Sequence, residues 1–336
     1  MMNPEEPAVA IPPPTSVDWE LTYACQLRCS HCYTESGRVP SRKLPREKLV
    51  RIAEVLGGMG LASVYLVGGE PLLVPEVFEL GDILRASGTH VVLYTNGVGI
   101  SRALAARIAA TFPRVHVSLD GMSAAVHDAI RGRQGAFADA ERTLAHFDEL
   151  AAPPTVNGFG FGVDVVVVRR NYEQIETFCR ELPRRYPHIR SLLLGAAIPL
   201  GLAGSEVYVE KELLTEEQLA ELDDAGVQRR LRSLVPSSVR FEVCSNKRWR
   251  RPELMGSVDV EADGSVRPWY LGTALGDMLV DEPWDLFRRA LGRATDPFVR
   301  ERMSGVETTA DWARALREIR AHFAPAQPLR ARPARR

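Results

Sequence analysis

The chain of 336 residues lacks a strong charge imbalance, a long apolar run and a secretion signal. Its 42 basic and 43 acidic residues give a net charge of -1, so no global field attracts nucleic acid or an anionic membrane. The uncharged run from Ser191 to Ser205 is shorter than the ~20 residues that span a bilayer. Residues 1–16 carry Glu5, Glu6 and Pro12–Pro14 where a signal peptide has basic and apolar segments. We therefore expect a cytoplasmic protein that binds neither nucleic acid nor membrane.

Cysteine is scarce as well, and its distribution is uneven. Five cysteines occur, and three of them fall within eight positions, which in a reducing compartment indicates metal binding rather than disulfides. With 45% apolar and 25% charged residues, the composition is that of a folded globular chain and excludes disorder, collagen and coiled coil. Cys179 lies on the apolar stripe of a predicted helix, so we expect it in the core.

Short β-rich runs alternate with longer amphipathic runs over the first ~200 residues, which predicts an α/β fold with a parallel sheet covered by helices. The predicted strands are Val17–Thr22, Ser63–Val67, His90–Tyr94, Val115–Leu119, Gly162–Val168 and Arg190–Leu194. The predicted helices are Pro45–Met59, Pro75–Ser87, Ser101–Thr111, Phe137–Leu150 and Tyr172–Arg185. In such folds, functional residues gather at the carboxyl ends of the strands.

The pattern changes after Gly204. A helix is predicted over Thr215–Leu234, followed by two strand-like runs, Ser257–Glu261 and Ser265–Pro268, whose Asp-Gly connection favours a hairpin. Helices are predicted within Trp284–Phe323. We therefore divide the chain into an N-terminal tail (1–16), a barrel (17–205), a smaller α+β extension (206–324) and a flexible tail (325–336).

The clustered cysteines, Cys25, Cys29 and Cys32, form a C-x3-C-x2-C pattern directly after the first predicted strand. Three thiolates on one loop can hold three irons of a 4Fe-4S cluster and leave the fourth iron open. The alternative is a structural zinc ion with Cys179 or Cys244 as the fourth ligand. Zinc sites, however, more usually use two separated pairs of ligands.

Further motifs follow the next strands in order. They are Gly68-Gly69-Glu70-Pro71, Thr95-Asn96-Gly97, Ser118-Leu119-Asp120-Gly121 and the later residues His127, Asp128, Arg131 and Gly132. Together with the cysteine spacing, this order resembles the radical SAM superfamily, whose hallmark is this spacing after the first strand of a partial (β/α)6 TIM-type barrel. The resemblance implies one 4Fe-4S cluster, S-adenosylmethionine and an external one-electron reductant of the flavodoxin or ferredoxin type. Electron transfer would cleave S-adenosylmethionine to methionine and a 5'-deoxyadenosyl radical that abstracts a substrate hydrogen.

The same resemblance implies roles for individual residues. Cys25, Cys29 and Cys32 would hold the cluster, while the backbone and acidic side chain of the motif Gly68, Gly69, Glu70, Pro71 would receive the methionyl ammonium. Cofactor contacts are also expected from His31 near adenine, from Ser118, Asn171 and Arg131 at the ribose or methionyl carboxylate, and from Asn96, Asp120 and Leu200. As alternatives, His31 is a solvent-facing loop residue, Arg131 a structural ion-pair residue and Leu200 a packing residue.

The segment Val258–Trp269, together with Leu275–Leu279 and Trp284–Phe287, resembles the SPASM/Twitch extension of that superfamily. It departs from the pattern because Trp269 stands where a cysteine is usual, and no cysteine follows Cys244. We therefore expect no auxiliary cluster, which favours a redox-neutral reaction. Cys244 lies near the usual first auxiliary ligand and is a candidate hydrogen-atom donor; the alternative is a buried apolar cysteine.

These features predict a radical SAM enzyme that performs epimerisation, decarboxylation, elimination or radical addition. A sugar-, aminoglycoside- or nucleoside-type natural-product intermediate is the expected substrate. A small molecule is preferred to a peptide because the ~16 residues before the first strand leave no room for a leader-peptide-binding domain. The first alternative is a ribosomal-peptide modifying enzyme such as an epimerase. The second is a non-catalytic iron-sulfur or zinc protein.

Overall fold

The computed structural model describes residues 15–41, 43–155, 158–251, 258–269 and 271–324. The predicted tail 325–336, residues 1–14 of the predicted N-terminal tail and Ser257 lie outside the described residues. Within those ranges, no helix combines the length and apolar character that a membrane span needs.

Six parallel strands form the centre of the fold and pair in chain order. They are β1 (Ser16–Glu20), β2 (Ser63–Val67), β3 (His90–Thr95), β4 (Arg114–Ser118), β5 (Gly160–Val167) and β6 (Ser191–Ala196). Each lies within two residues of its predicted bounds at either end. The prediction succeeded because these strands are short apolar runs bounded by turn residues.

Helices cover the outer face of the sheet. They are α1 (Arg46–Gly58), α2 (Val77–Ala86), α3 (Arg102–Thr111), α4 (Ala124–Arg131), α5 (Ala136–Ala151) and α6 (Ile175–Arg185). Alternate strand residues such as Val17 and Trp19 are fully buried against these helices, as the two-residue period of a strand requires. The intervening residues face the barrel interior. Helix α4 was not predicted, since its eight residues are too few to show a clear apolar period.

Four further strands extend the same sheet at both edges. The strand β7 (Arg240–Cys244) pairs parallel with β6, and β8 (Val258–Val260) pairs parallel with β1. The strands β9 (Ser265–Arg267) and β10 (Gly276–Asp277) continue antiparallel from β8. The hairpin between β8 and β9 agrees with the prediction, and Gly264 takes a φ of 87° in its turn. The strands after residue 205 thus join the barrel sheet, and a domain boundary there stays a prediction.

The remaining helices pack around these edge strands. They are α7 (Glu206–Lys211), α8 (Glu216–Asp223), α9 (Ala225–Ser233), α10 (Pro283–Gly292), α11 (Pro297–Ser304) and α12 (Thr309–Phe323). The prediction of one helix over Thr215–Leu234 was wrong, because the backbone is extended at Asp224. The Asp224 carboxylate accepts hydrogen bonds from the N–H groups of Gly226 and Val227, and thereby caps a second helix.

Candidate functional site

The three clustered cysteines lie on the loop after β1, here called the cysteine loop (residues 23–33). Two of its backbone N–H groups fix it to the end of α4: Arg28 donates to the Arg131 carbonyl at 3.0 Å, and Ser30 donates to the Ile130 carbonyl at 2.8 Å. The helix ends at Gly132, which has a φ of 67°. A Cβ atom there would lie 2.3 Å from the Arg28 carbonyl oxygen, so only glycine permits this approach.

The sulfur atoms of Cys25, Cys29 and Cys32 share one cavity, here called the inner cavity, of about 200 Å³. Hydrogen-bonding groups face all three, and the Cys32 sulfur lies 3.5 Å from the Thr34 hydroxyl. The Cys25 sulfur accepts from the Leu27 N–H at 3.4 Å and from the Asn96 amide at 3.7 Å. The Cys29 sulfur accepts from the Arg131 guanidinium at 3.9 Å. Although burial raises the pKa of Cys25 to about 11, such donors stabilise thiolate ligands once metal displaces the protons.

This donor set fits a 4Fe-4S cluster better than a zinc ion. A cluster distributes its thiolates over separate irons, whereas zinc needs its ligands around one point. Among the described residues, no three His, Cys, Asp or Glu side chains are grouped to hold a single ion. Cys179, one of the two candidate fourth zinc ligands, is fully buried in the main hydrophobic core, as expected from its helical position.

Most of the predicted cofactor residues also line the inner cavity. These are His31, Gly68, Gly69, Pro71, Asn96, Ser118 and Arg131. Gly69 donates its N–H to the Thr22 carbonyl at 2.6 Å. A Cβ atom on Gly69 would lie 2.1 Å from the Ala24 carbonyl oxygen. The ends of β1 and β2 therefore meet closely only because this position carries no side chain.

Glu70 does not line the inner cavity, contrary to the expectation for its side chain. The carboxylate is buried and accepts hydrogen bonds from the Asn96 N–H at 2.8 Å, the Thr95 hydroxyl at 2.9 Å and the Leu72 N–H at 3.2 Å. Burial raises the pKa of Glu70 to about 7 in spite of these donors. The side chain thus joins the ends of β2 and β3, while Gly68, Gly69 and Pro71 of this motif line the cavity.

Asp120 is likewise a framework residue. Its fully buried carboxylate pairs with the Arg131 guanidinium at 2.7 Å and the His31 ring at 2.9 Å, and accepts the Val166 N–H at 2.9 Å. Burial opposes ionisation, but Arg131 and His31 outweigh it and hold the pKa of Asp120 well below its usual range. His31 is therefore a fixed residue of the cavity wall and not a solvent-facing one. Arg131 is an ion-pair residue that also faces the cavity.

Asn171 does not reach the inner cavity either. Its amide donates to the carbonyls of Asp120 at 2.9 Å and Val166 at 3.0 Å, and its oxygen accepts the Val168 N–H at 2.8 Å. All these partners are backbone groups at the ends of β4 and β5. Asn171 therefore fixes the shape of the barrel rim, and its contact with a cofactor stays a prediction.

A second space, the barrel cavity of about 380 Å³, adjoins the inner cavity inside the sheet. The two share His31, Tyr33, Val67, Tyr94, Asp164 and Val166. Leu200 lines the barrel cavity, so the structure places it at the site rather than only in packing. Asp164 was not predicted, although a charged residue between valines in a central strand was a detectable signal. Burial, with a smaller contribution from the charge of Asp120, raises its pKa to about 7.

A third space, the outer cavity of about 400 Å³, continues from the barrel cavity past Tyr33, Leu200 and Trp269. Arg267 on its wall pairs with Glu20 at 3.2 Å, Asp259 at 3.3 Å and Glu261. Three carboxylates thus surround one guanidinium. Burial raises the pKa of Glu20 and of Asp259, and the group carries excess negative charge wherever they ionise.

Cys244 lies at the end of β7, and the structure does not place it on the wall of these three cavities. Its thiol donates to the Asn246 side-chain oxygen at 3.2 Å. Asn246 lines the barrel cavity. The Cys244 sulfur therefore lies one residue behind the wall, where burial raises the pKa of the thiol.

Comparison with known proteins agrees with this site, since residues 19–182 match the family model described as Radical SAM superfamily. This region is a radical SAM superfamily domain. Members of this superfamily use a 4Fe-4S cluster and S-adenosylmethionine, as the sequence led us to expect. Mycofactocin maturase MftC of Mycobacterium tuberculosis is 38% identical over 208 residues, which are 61% of this chain and 50% of that protein. AdoMet-dependent heme synthase of Methanosarcina barkeri is 37% identical over 164 residues, 48% of this chain and 45% of that protein.

The chain thus spans about half the length of these curated relatives. Among solved structures, SuiB of Streptococcus suis bound to S-adenosylmethionine has a TM-score of 0.63 at 17% identity. That match covers 83% of this chain and 67% of the SuiB chain. It confirms the predicted α/β fold of the partial TIM-barrel type.

Proposed function

We propose that this protein is a radical SAM enzyme that modifies a peptide. The observation that carries the proposal is the row of three adjoining cavities from the loop cysteines, through the barrel, to the outer cavity beside β9. Tyr33 lines all three cavities, so the three spaces adjoin one another. A small sugar would fill one of these spaces, whereas a peptide segment can occupy the outer cavity while one side chain enters the barrel.

The inner cavity supplies the cofactor site. Cys25, Cys29 and Cys32 would hold the cluster, and the Gly68–Gly69 backbone with Asn96, Ser118 and Arg131 would bind S-adenosylmethionine. When bound and reduced, these cofactors supply a carbon-centred radical that removes a hydrogen atom from the substrate. The chain contributes by holding Arg131 and His31 on Asp120, so that charged groups on the cavity wall are fixed before the cofactor binds.

The named relatives favour a peptide over the expected sugar-, aminoglycoside- or nucleoside-type substrate. Besides the mycofactocin maturase, the antilisterial bacteriocin subtilosin biosynthesis protein AlbA of Bacillus subtilis is 32% identical over 136 residues, 40% of this chain and 30% of that protein. The preference for a sugar- or nucleoside-type small molecule is therefore withdrawn and the peptide alternative replaces it, although the heme synthase named above is a relative whose name points to a small molecule.

Three finer points belong to the same proposal. The reaction is redox-neutral and uses one cluster, because Trp269 replaces a cysteine and lies at the junction of the barrel and outer cavities. Electrons come from an external flavodoxin or ferredoxin. Residues 206–324 are a degenerate SPASM/Twitch-like extension that covers the barrel edges.

The test is anaerobic reconstitution with iron and sulfide, followed by S-adenosylmethionine and dithionite. We expect 5'-deoxyadenosine from the wild type and none from a variant with all three loop cysteines changed to Ala. The protein is then co-expressed with each short open reading frame that neighbours its gene, and every peptide is examined by mass spectrometry. Retention of the cleavage activity with modification of a sugar or nucleoside, and of no peptide, would refute the substrate class.

A further inference from the structure

The barrel cavity has an unusual lining for a space of its size. Its acidic wall residues are Asp18 and Asp164, and His31 also lines it, with its ring already paired with Asp120. No lysine or arginine lines it among the described residues. Aromatic side chains make up much of the rest, namely Tyr33, Tyr65, Tyr94 and Trp269. Carboxylates together with aromatic rings favour a positively charged group.

Among the acidic residues of the cavity wall, Asp164 is the one placed to bind a cation. It lies on β5 beside Ser118 of β4 and faces both the inner and the barrel cavities. Within the described ranges, its carboxylate has no hydrogen bond and no ion pair. Other enclosed carboxylates of the site, those of Glu70 and Asp120, are each held by three partners. A carboxylate without a partner on a cavity wall is costly unless a ligand supplies one.

The approach to this cavity carries both acidic and basic side chains. At the outer cavity, Glu20, Asp259 and Glu261 surround the single guanidinium of Arg267. One oxygen of Glu20 is buried and receives no hydrogen bond among the described residues. The wall of the outer cavity also carries Glu35 and Arg320, so its acidic and basic side chains balance, and the preference for a cation rests on the barrel cavity itself.

We propose that the barrel cavity binds a cationic side chain of the peptide substrate, a lysine ammonium or an arginine guanidinium, and that Asp164 is its ion-pair partner. That the ligand belongs to a peptide rests on the proposed function. That the ligand is positively charged rests on the lining of the barrel cavity. Asp164 thereby becomes a residue that determines substrate specificity. It places the modified carbon of the substrate within a few bonds of a lysine or arginine.

S-adenosylmethionine is itself a cation, so the experiment must separate it from the substrate. The reconstituted protein is saturated with S-adenosylmethionine without a reductant, which prevents turnover. Ligand-observed saturation-transfer NMR then measures binding of three probes: the Nα-acetyl N-methylamides of lysine, of norleucine and of glutamate. We expect the lysine probe to bind and the two others to bind at least roughly tenfold more weakly, because an ion pair in a hydrogen-bonded site contributes that much.

The key variant is Asp164→Asn, which keeps the size of the side chain and removes its charge. Lysine-probe affinity should fall roughly tenfold or more, while the affinity for S-adenosylmethionine stays within a few-fold of wild type. Asp164→Glu keeps the charge and should retain part of the binding. Asp82→Asn, in a side chain that is 67% exposed on α2, is the matched control and should change neither affinity. A urea midpoint for Asp164→Asn that is not below wild type will show that the fold is intact.

Two results would overturn the inference. One is a lysine probe that binds no better than the norleucine probe, and the other is equal lysine binding by wild type and Asp164→Asn. Loss of S-adenosylmethionine binding in Asp164→Asn with no lysine binding to the wild type would assign the carboxylate to the cofactor. Because none of these measurements needs turnover, a protein that binds the lysine probe but modifies no peptide would contradict only the proposed function.

Discussion

Replacing Asp120 by Asn gives the sharpest test of how the cysteine loop is held. The carboxylate faces Arg131, whose side chain is 9% exposed, and His31, whose side chain is 10% exposed. An amide can still accept the Val166 N–H but leaves the guanidinium without a counter-charge. Breaking a buried ion pair in this way costs about 3–5 kcal/mol of unfolding free energy. The Arg131 contact with the Cys29 sulfur should be lost as well, since nothing else then fixes the guanidinium.

The assay is urea unfolding of the full chain followed by tryptophan fluorescence and circular dichroism, with and without the reconstituted cluster. Because the pKa of Asp120 is lowered in the fold, its stabilisation is present above the ordinary carboxyl range and is lost only as the pH falls through the lowered pKa. The difference between variant and wild type should therefore be the same at pH 7 and pH 9. Glu54→Gln is the control, because Arg51 and Glu54 are 66% and 52% exposed, and should cost under ~1 kcal/mol. A cost for Asp120→Asn as small as the control would refute the reasoning.

Three further predictions concern the cofactor site and its surroundings. Replacing any one loop cysteine by Ala should abolish the visible iron-sulfur absorption, and wild type should contain about four irons per chain; a content near eight would reveal a second cluster. Gly69→Ala should lose S-adenosylmethionine binding and several-fold soluble yield, since its Cβ would lie 2.1 Å from a carbonyl oxygen, whereas Gly58→Ala, with open space around it, should change neither. If the Cys244 thiol, which lies behind the cavity wall, donates its hydrogen atom to the substrate radical, Cys244→Ala should still form 5'-deoxyadenosine but no product, and wild type in deuterated buffer should place one deuteron in the product. Normal turnover by Cys244→Ala would instead make this thiol a packing residue.

The sequence allowed the order of strands and motifs to be predicted because both depend on local pattern. Apolar runs gave the six barrel strands, and each motif falls at the carboxyl end of a strand, where the cavities lie. The direction in which a side chain points cannot be predicted from its position in the sequence. Glu70, Asp120 and Asn171 occupy expected positions, but each turns toward backbone groups of neighbouring strand ends. Only the three-dimensional arrangement shows which motif residues are left to face the cavity.

The strand β7 and the break at Asp224 were missed for a different reason. The five residues of β7 form an edge strand with mixed polar and apolar positions, so their pattern is weak. The stretch around Asp224 has helical residues on both sides, and the competing cap made by its own side chain decides the outcome. In both places a tertiary or side-chain interaction overrode the local preference.

Asp164 differs from the other enclosed carboxylates in its hydrogen bonding. The carboxylates of Glu70 and Asp120 bind groups at the ends of β2 to β5. A substitution of either residue therefore weakens the framework that positions the cofactors. The Asp164 carboxylate has no hydrogen-bond partner in the described parts of the chain, so its substitution should leave that framework intact. An enclosed charged group that stabilises no part of the fold lowers the free energy of unfolding, so keeping it has a cost. Taking up a proton, which the raised pKa of Asp164 permits, lowers that cost, and a positively charged group that enters the barrel stabilises the ionised form instead. For this reason we assign Asp164 to substrate selection rather than to folding.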